Sequence, residues 1–208
     1  MQIPMGLEEN FTGLVDVISR EAVHFLGEKG TEIKRFPVPE EYIEKCEEAR
    51  KELVERLAEL DEEIGELFLN EIEPEAEQII AAVRRQTISR KFVPVFMGSA
   101  YKNKGVQLLL DGVNSYLPSP PEVKNIALDI NKNEAEVQLT CDSNLPLVAL
   151  AFKLEESRFG QLTYVRVYQG MVKKGMVVTN TKNKKKTKIP RLVRMHSNEM
   201  EDVEYAKG

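Results

Sequence analysis

The chain has 208 residues, 42% of them hydrophobic and 30% charged, with a formal net charge of −5, which allows one or two domains with a real core. No tract approaches the roughly 20 apolar residues of a membrane span, and the start at Met1-Gln2-Ile3-Pro4 has neither a signal peptide's basic and apolar regions nor a transit peptide's Arg/Ser-rich helix. Cys46 and Cys141 lie far apart with no second pair, so a disulfide framework and a zinc site have no support, and a reducing compartment fits.

In chain order, short β-prone runs come first: Leu14-Val15-Asp16-Val17-Ile18, Ala22-Val23-His24-Phe25 and Ile33-Lys34-Arg35-Phe36, punctuated by Gly27 and Gly30. They predict a hairpin or small sheet. Acid is concentrated between Glu40 and Glu77. Through this stretch Tyr42, Cys46, Ala49, Leu53, Leu57, Leu60, Ile64 and Leu67 recur every three or four residues, the spacing of one buried helical face, and the glutamates form its solvated side. Asp61 is placed to cap a second helical piece, and Pro74 to occupy the first turn of another helix running to about Arg90. No two of these acids stand out as an acid/base pair.

Phe92-Val93-Pro94-Val95-Phe96-Met97 reads as a buried strand, followed by the small-residue turn Gly98-Ser99-Ala100-Tyr101-Lys102 and a helix from Gly105 to the Pro118-Ser119-Pro120-Pro121 stop. Loops leaving strand ends are where α/β folds bind ligands. A turn this small lets backbone N–H groups approach a flat ring, and such donors favour the O6 acceptor of guanine over the N6 donor of adenine. An ordinary βα turn fits the same residues. Pro118 to Asn144 is polar and proline-bearing, and is expected to be a linker.

From Leu147 to Leu154 and from Leu162 to Tyr168 the period becomes that of strands, with Gly160, Gly170 and Gly175 at turns, which predicts part of a β-barrel. Lys182, Lys184, Lys185, Lys186, Lys188, Arg191 and Arg194 form a basic stretch. Lysines on a hairpin neutralise phosphates without reading sequence, and a solvated turn whose lysines guard a sheet edge is the alternative. No aromatic residue interrupts the run, so stacking on bases has no support. Arg158 and Arg166 flank and enter the Phe159-Gly160-Gln161-Leu162-Thr163-Tyr164 strand, and are further candidates for phosphate. Gly170 and Gly175 have the spacing of a phosphate loop but are followed by Met176-Val177, which can neither neutralise phosphate nor hold a metal. His24 reads as a hydrogen-bonded structural ring, and neither it nor His196 has a nucleophile to pair with. No catalytic residue and no metal ligand is expected in this chain, nor DNA or a membrane as a partner.

Several phrases together resemble elongation factor G, a translational GTPase. They are Gln2 to Asp16, Gly98 to Gln107, Ala149 with Phe152-Lys153, Arg158 to Arg166, Tyr168-Gln169-Gly170, Lys174-Gly175, Arg194-Met195-His196 and Met200-Glu201-Asp202-Val203. Met5 to Glu8, Gly160 to Arg166 and Met200 to Val203 look most like the mitochondrial form. The family's phosphate loop, Asp-x-x-Gly and Asn-Lys-x-Asp segments are missing; Asn131-Lys132-Asn133-Glu134 ends in Glu and reads as a polar linker.

The resemblance therefore implies an internal portion or truncated product, inactive as a GTPase by itself. The implied fold is multi-domain α/β plus β: the α+β insertion and terminal strand-helix of a P-loop GTPase domain, followed by part of a β-barrel domain. Residues 1–90 would be the insertion, 91–120 the last strand, guanine-side turn and helix, 121–144 the linker and 145–208 the partial barrel. Ser99 and Ala100 would border guanine through backbone amides, with Tyr101 and Lys102 beside the ring. GTP and Mg2+ are implied for the intact parent and not for this chain alone. The implied partner is the ribosome, met through small-subunit RNA at the barrel and the large-subunit stalk at the insertion, in the mitochondrial matrix. Two alternatives stay open: a sister translational GTPase of ribosome recycling or protection, and a non-catalytic module that binds ribosomal RNA.

Overall fold

The computed structural model describes residues 1–157, 160–197 and 199–208. They form two compact units, Met1–Pro118 and Ser119–Gly208. Among the described residues no helix is long and apolar enough to cross a membrane.

In the first unit β1 (Gln2–Met5), β2 (Gly13–Asp16), β3 (Glu21–Leu26) and β4 (Glu32–Pro37) pair antiparallel in sequence order. The three β-prone runs thus become β2 to β4. β1 is an additional strand that the sequence reading did not anticipate. It contains Pro4, opposite Leu14, and tolerates it because β1 lies at the sheet edge, where a missing N–H costs little. Strand alternation sends successive side chains to opposite faces. Leu14, Val23 and Phe25 cluster with Phe11 and Leu108, while Val15, Val17 and Ala22 cluster with Ile3, Met5 and Cys46. β2 and β3 are therefore buried on both faces, with Cys46 of α1 (Glu40–Ala58) over one of them, while β4 is exposed along its length.

α2 (Glu62–Leu69), α3 (Ala76–Ile88) and α4 (Val106–Tyr116) complete a second core of Val54, Leu57, Ile64, Ile79, Ala82, Val83 and Tyr116 with Ile18. Burial there pushes the Tyr116 hydroxyl up to about 12. Leu57 and Ile64 are inside as the helical spacing predicts. The buried stripe of α1 is Cys46, Arg50, Val54 and Leu57, however, and the Ala49 and Leu53 of the sequence reading lie beside it, half-buried. Asp61 caps α2 as expected, accepting from the Ile64 amide at 3.4 Å. Pro74 does not open α3: Glu75 is the N-cap, in a capping box with Gln78, and Pro74 stands one residue earlier.

Arg50 is 5% exposed, and each of its three guanidinium nitrogens donates. It donates to the carbonyls of Ile18 (2.7 Å), Pro74 (3.1 Å) and Val17 (3.4 Å), and to Glu73 (3.1 Å). Arg20 also holds Glu73, at 2.6 Å, and grips both oxygens of Glu47. Hydrogen bonds from Arg20 and then Arg50 keep the Glu73 carboxyl below the usual range.

Phe92 to Met97 is not a ladder strand. The segment is extended, with Phe92, Pro94 and Phe96 half-buried and Val93 78% exposed. Only its ends are held, by the Phe92 amide on the Gln86 carbonyl and the Met97 amide on Gln2 Oε1. Its alternation is that of a strand, but no neighbouring strand among the described residues pairs with it.

In the second unit the expected linker region carries an antiparallel hairpin, β5 (Asn125–Asp129) with β6 (Ala135–Leu139). Its polar run Asn131 to Glu134 is the turn, with Asn133 and Glu134 at positive φ, and Ala135, Val137 and Leu139 alternate along β6. The long hairpin of β7 (Val148–Ser157) and β8 (Gly160–Gln169) matches the predicted strands, with register shifts near Ala149 and Lys153. β9 (Met171–Lys173) pairs with β14 (Tyr205–Lys207), β10 (Val177–Thr179) with β11 (Lys186–Lys188), and β12 (Val193–His196) with β13 (Glu199–Asp202). β9 and β10 thus do not form a hairpin around Gly170 and Gly175, because each finds a later strand. Among the described residues these ladders stay two-stranded, and closure into a barrel is not seen.

Truncating Arg50 leaves buried carbonyls unmet. Arg50→Ala is expected to cost about 3 kcal/mol or more, read as a lower urea midpoint, and Arg50→Lys to recover only part, because one ammonium cannot reproduce the fork. A wild-type midpoint for Arg50→Ala would show that the carbonyls need no partner.

The Arg85 side chain bonds both Asp61 oxygens, at 2.9 and 2.7 Å, Gln86 adds a bond at 3.0 Å, and together with the Ile64 amide they hold the Asp61 carboxyl down at about 2 against burial. Because the folded value is depressed, the stabilisation is full above the unfolded value of 3.8 and fades as pH falls towards 2. The stability gap between the original chain and Asp61→Asn, on the order of 1–2 kcal/mol at neutral pH, should close over that window; a gap independent of pH would contradict the assignment.

Candidate functional site

Gly98 and Gly105 bring the two ends of the candidate turn together. A Cβ on Gly98 would lie 2.4 Å from the Lys104 carbonyl oxygen, and one on Gly105, at φ +87°, would lie 2.5 Å from that of Met97. Only glycine allows so close a crossing. Ser99 and Lys104 exchange backbone bonds of 2.8 and 3.0 Å, Asn103 N–H donates to the Ala100 carbonyl, and Lys102 N–H to Ser99 Oγ. Of the two amides expected at a ring edge, that of Ser99 is engaged within the turn. The amides of Ala100 and Tyr101 meet no acceptor among the described residues, and the Tyr101 side chain is 100% exposed. Lys102 is exposed beside it.

Three polar side chains that sequence reasoning passed over tie this turn to distant backbone. Asn103 Nδ2 donates to the Lys29 carbonyl at 3.0 Å, Gln107 Nε2 to that of Gly30 at 3.1 Å, and Lys104 Nζ to that of Phe11 at 2.9 Å. Their only signal in the sequence is a cluster of polar residues at the start of an otherwise apolar helix.

The basic stretch divides. Lys182, Lys184 and Lys185 form the tip between β10 and β11, and Lys186 and Lys188 lie on β11; all are exposed, and no carboxylate among the described residues pairs with them. Asn180 shapes the tip: its Oδ1 accepts from the Lys182 and Asn183 amides and its carbonyl from Lys184, which takes φ +59°. Arg191 and Arg194 go elsewhere. Arg191 forks onto Asp202 at 2.7 and 3.0 Å, which holds that carboxyl low, and Arg194 faces Glu201 at 3.8 Å across β12 and β13. Arg166 lies over the Tyr168 ring, 4.9 Å from its centroid, leaving its edge free to donate. Arg158 lies outside the described residues. His24 meets the edge of Phe36 at 5.3 Å, and His196 ends β12 opposite Glu199.

Residues 160–208 match the family model for elongation factor Tu domain 2. The chain is 54% identical over 206 residues, 99% of its length, to the mitochondrial elongation factor G-1 of Arabidopsis thaliana, and spans 27% of that protein. A crystal structure of a Thermus thermophilus protein shares the fold with a TM-score of 0.72 at 24% identity, over 99% of this chain and 28% of that one. On that sustained identity to the Arabidopsis factor, the chain belongs to the elongation factor G family.

Proposed function

We propose that this chain is a portion of an elongation factor G that, when intact, binds and hydrolyses GTP to drive tRNA and mRNA through the ribosome in mitochondrial protein synthesis. The observation that carries this is the 54% identity to a mitochondrial relative along nearly the whole chain. The geometry supports parts of the reading. Unspent amides at Ala100 and Tyr101 suit the O6 acceptor of guanine, the one part of a bound GTP these residues are placed to meet. GTP itself, with Mg2+, would supply the energy of phosphoryl transfer; Gly170 and Gly175 are no cradle for its phosphates, because β9 between them is paired with β14.

In the same reading, residues 1–90 are the insertion that faces the large-subunit stalk and 91–120 end the GTPase domain. Residues 121–144 lead into a barrel portion, 145–208, whose lysine hairpin meets small-subunit RNA. Carboxylates restrain Arg191 and Arg194, so Lys182, Lys184, Lys185, Lys186 and Lys188 carry the phosphate contacts, with Arg166 at the edge of its stack. The location is the mitochondrial matrix.

The test is a full-length mitochondrial elongation factor G with this chain in place of its own segment. It should move tRNA and mRNA on programmed ribosomes in a GTP-dependent toeprint assay. A chimaera that only splits ribosomes with a recycling factor would assign the sister function. In the same chimaera Lys184→Glu with Lys186→Glu should weaken ribosome association and reduce the slope of log affinity against log salt by about two. An unchanged slope would remove the lysine hairpin from the RNA contact.

A further inference from the structure

The bonds between Ser99 and Lys104 fix the shape of the turn but not its position. Packing of Leu108 on the sheet carries the turn to its place, and three side-chain bonds to Lys29, Gly30 and Phe11, spanning 74, 77 and 93 residues of sequence, fasten it there. The receiving loop between β3 and β4 is built for close approach. Gly27, Lys29 and Gly30 all take positive φ, Gly30 is buried, and a Cβ on Gly30 would stand 2.7 Å from the Asn103 carbonyl oxygen. Asn103 itself has φ +50°, so two left-handed bends pack against each other.

The Gln107 amide is held through Nε2. Its Oε1 is buried with no partner among the described residues. Turning the amide over would lose the bond to Gly30, because it would put that oxygen against the Gly30 carbonyl oxygen. The cost of an unpaired acceptor is borne while the Nε2 bond to the loop is kept.

We propose that Asn103 and Gln107 are positioning residues that fasten the turn to the β3–β4 loop, while Lys104 ties it to Phe11 between β1 and β2, so that the pose of the Ala100 and Tyr101 amides, and purine affinity with it, depends on that loop. The second half of this rests on the guanine reading of the turn; the fastening does not.

The test has two arms. In the 208-residue chain, Asn103→Ala with Gln107→Ala should speed hydrogen exchange at the Ser99, Asn103 and Lys104 amides by about tenfold, the scale of one or two lost hydrogen bonds. The Leu14 and Val15 amides of β2 should stay as they were. Gly30→Ala, which pushes on Asn103 from the loop side, should do the same and serves if the double variant does not fold. Unchanged turn exchange, or equal acceleration in β2, overturns the fastening.

In the full-length chimaera the same variants should release a fluorescent GDP analogue several-fold faster. Faster exchange with unaltered GDP release would overturn the dependence of purine affinity on the loop. An unsubstituted chimaera with no saturable GDP binding would overturn that dependence and the guanine reading together, and leave the fastening to be decided by the exchange arm.

Discussion

The Arg50 guanidinium joins three parts of the first unit that also meet in the core around Ile18. It projects from α1, takes the Val17 and Ile18 carbonyls where the chain leaves β2, and takes the Pro74 carbonyl just before α3 begins. Burying a cation costs several kcal/mol unless its donors are met. Here each nitrogen has an acceptor, and Glu73 supplies the compensating charge while it is itself shared with Arg20. The two cores abut at this residue: Val17 belongs to the sheet cluster, and Ile18 to the helical one. Arg50, with Asp16 accepting from the Ile18 and Ser19 amides, holds the turn after β2 where Ile18 shares a core with Leu57 and Ile79.

The burial of β2 and β3 on both faces determines where the candidate site lies. Leu14 and Val15 are both fully buried, on opposite faces, because α1 covers one face and Leu108 of α4 the other. The helix that brings Leu108 onto the sheet begins at Gly105, so the turn before it is carried to the same side as Phe11 and the β3–β4 loop. Lys104 then reaches the Phe11 carbonyl, its ammonium 6.0 Å from the centre of the Phe11 ring. The site is positioned by core packing first and by its own hydrogen bonds second.

What the sequence makes legible here is whatever is local. Asp61 reads as a cap because its acceptor serves an amide three residues on, and Leu57 and Ile64 read as core because their period is helical. Arg50 does not, since a charged residue in an apolar stripe is assigned to solvent until its distant carbonyls are known. Phe92 to Met97 shows the opposite error. Alternation reports which side chains share a face, but a strand also needs a neighbour to bond, and none of the described residues provides one. β1 escapes notice because four residues with a central proline carry almost no strand signal. The 118–144 region conceals a hairpin for another reason: Ala135, Val137 and Leu139 do alternate with Glu136 and Gln138, but the prolines and polar residues around them read as a linker.

The same limit applies to function. A Gly-Ser-Ala turn announces that backbone can come close to a ligand, but not which amides are free to meet it. The fold divides them: Ser99, Asn103 and Lys104 are used to close the loop, and Ala100 and Tyr101 are left over. Residues at the closing pair set the shape, while those left over lie where one side chain is a methyl group and the other is fully in solvent. The basic stretch is divided likewise by its partners. Arginines opposite Asp202 and Glu201 serve the β12–β13 ladder, and the lysines on the Asn180 tip pair with no acid among the described residues. In both places the functional candidates are the groups the fold does not use itself.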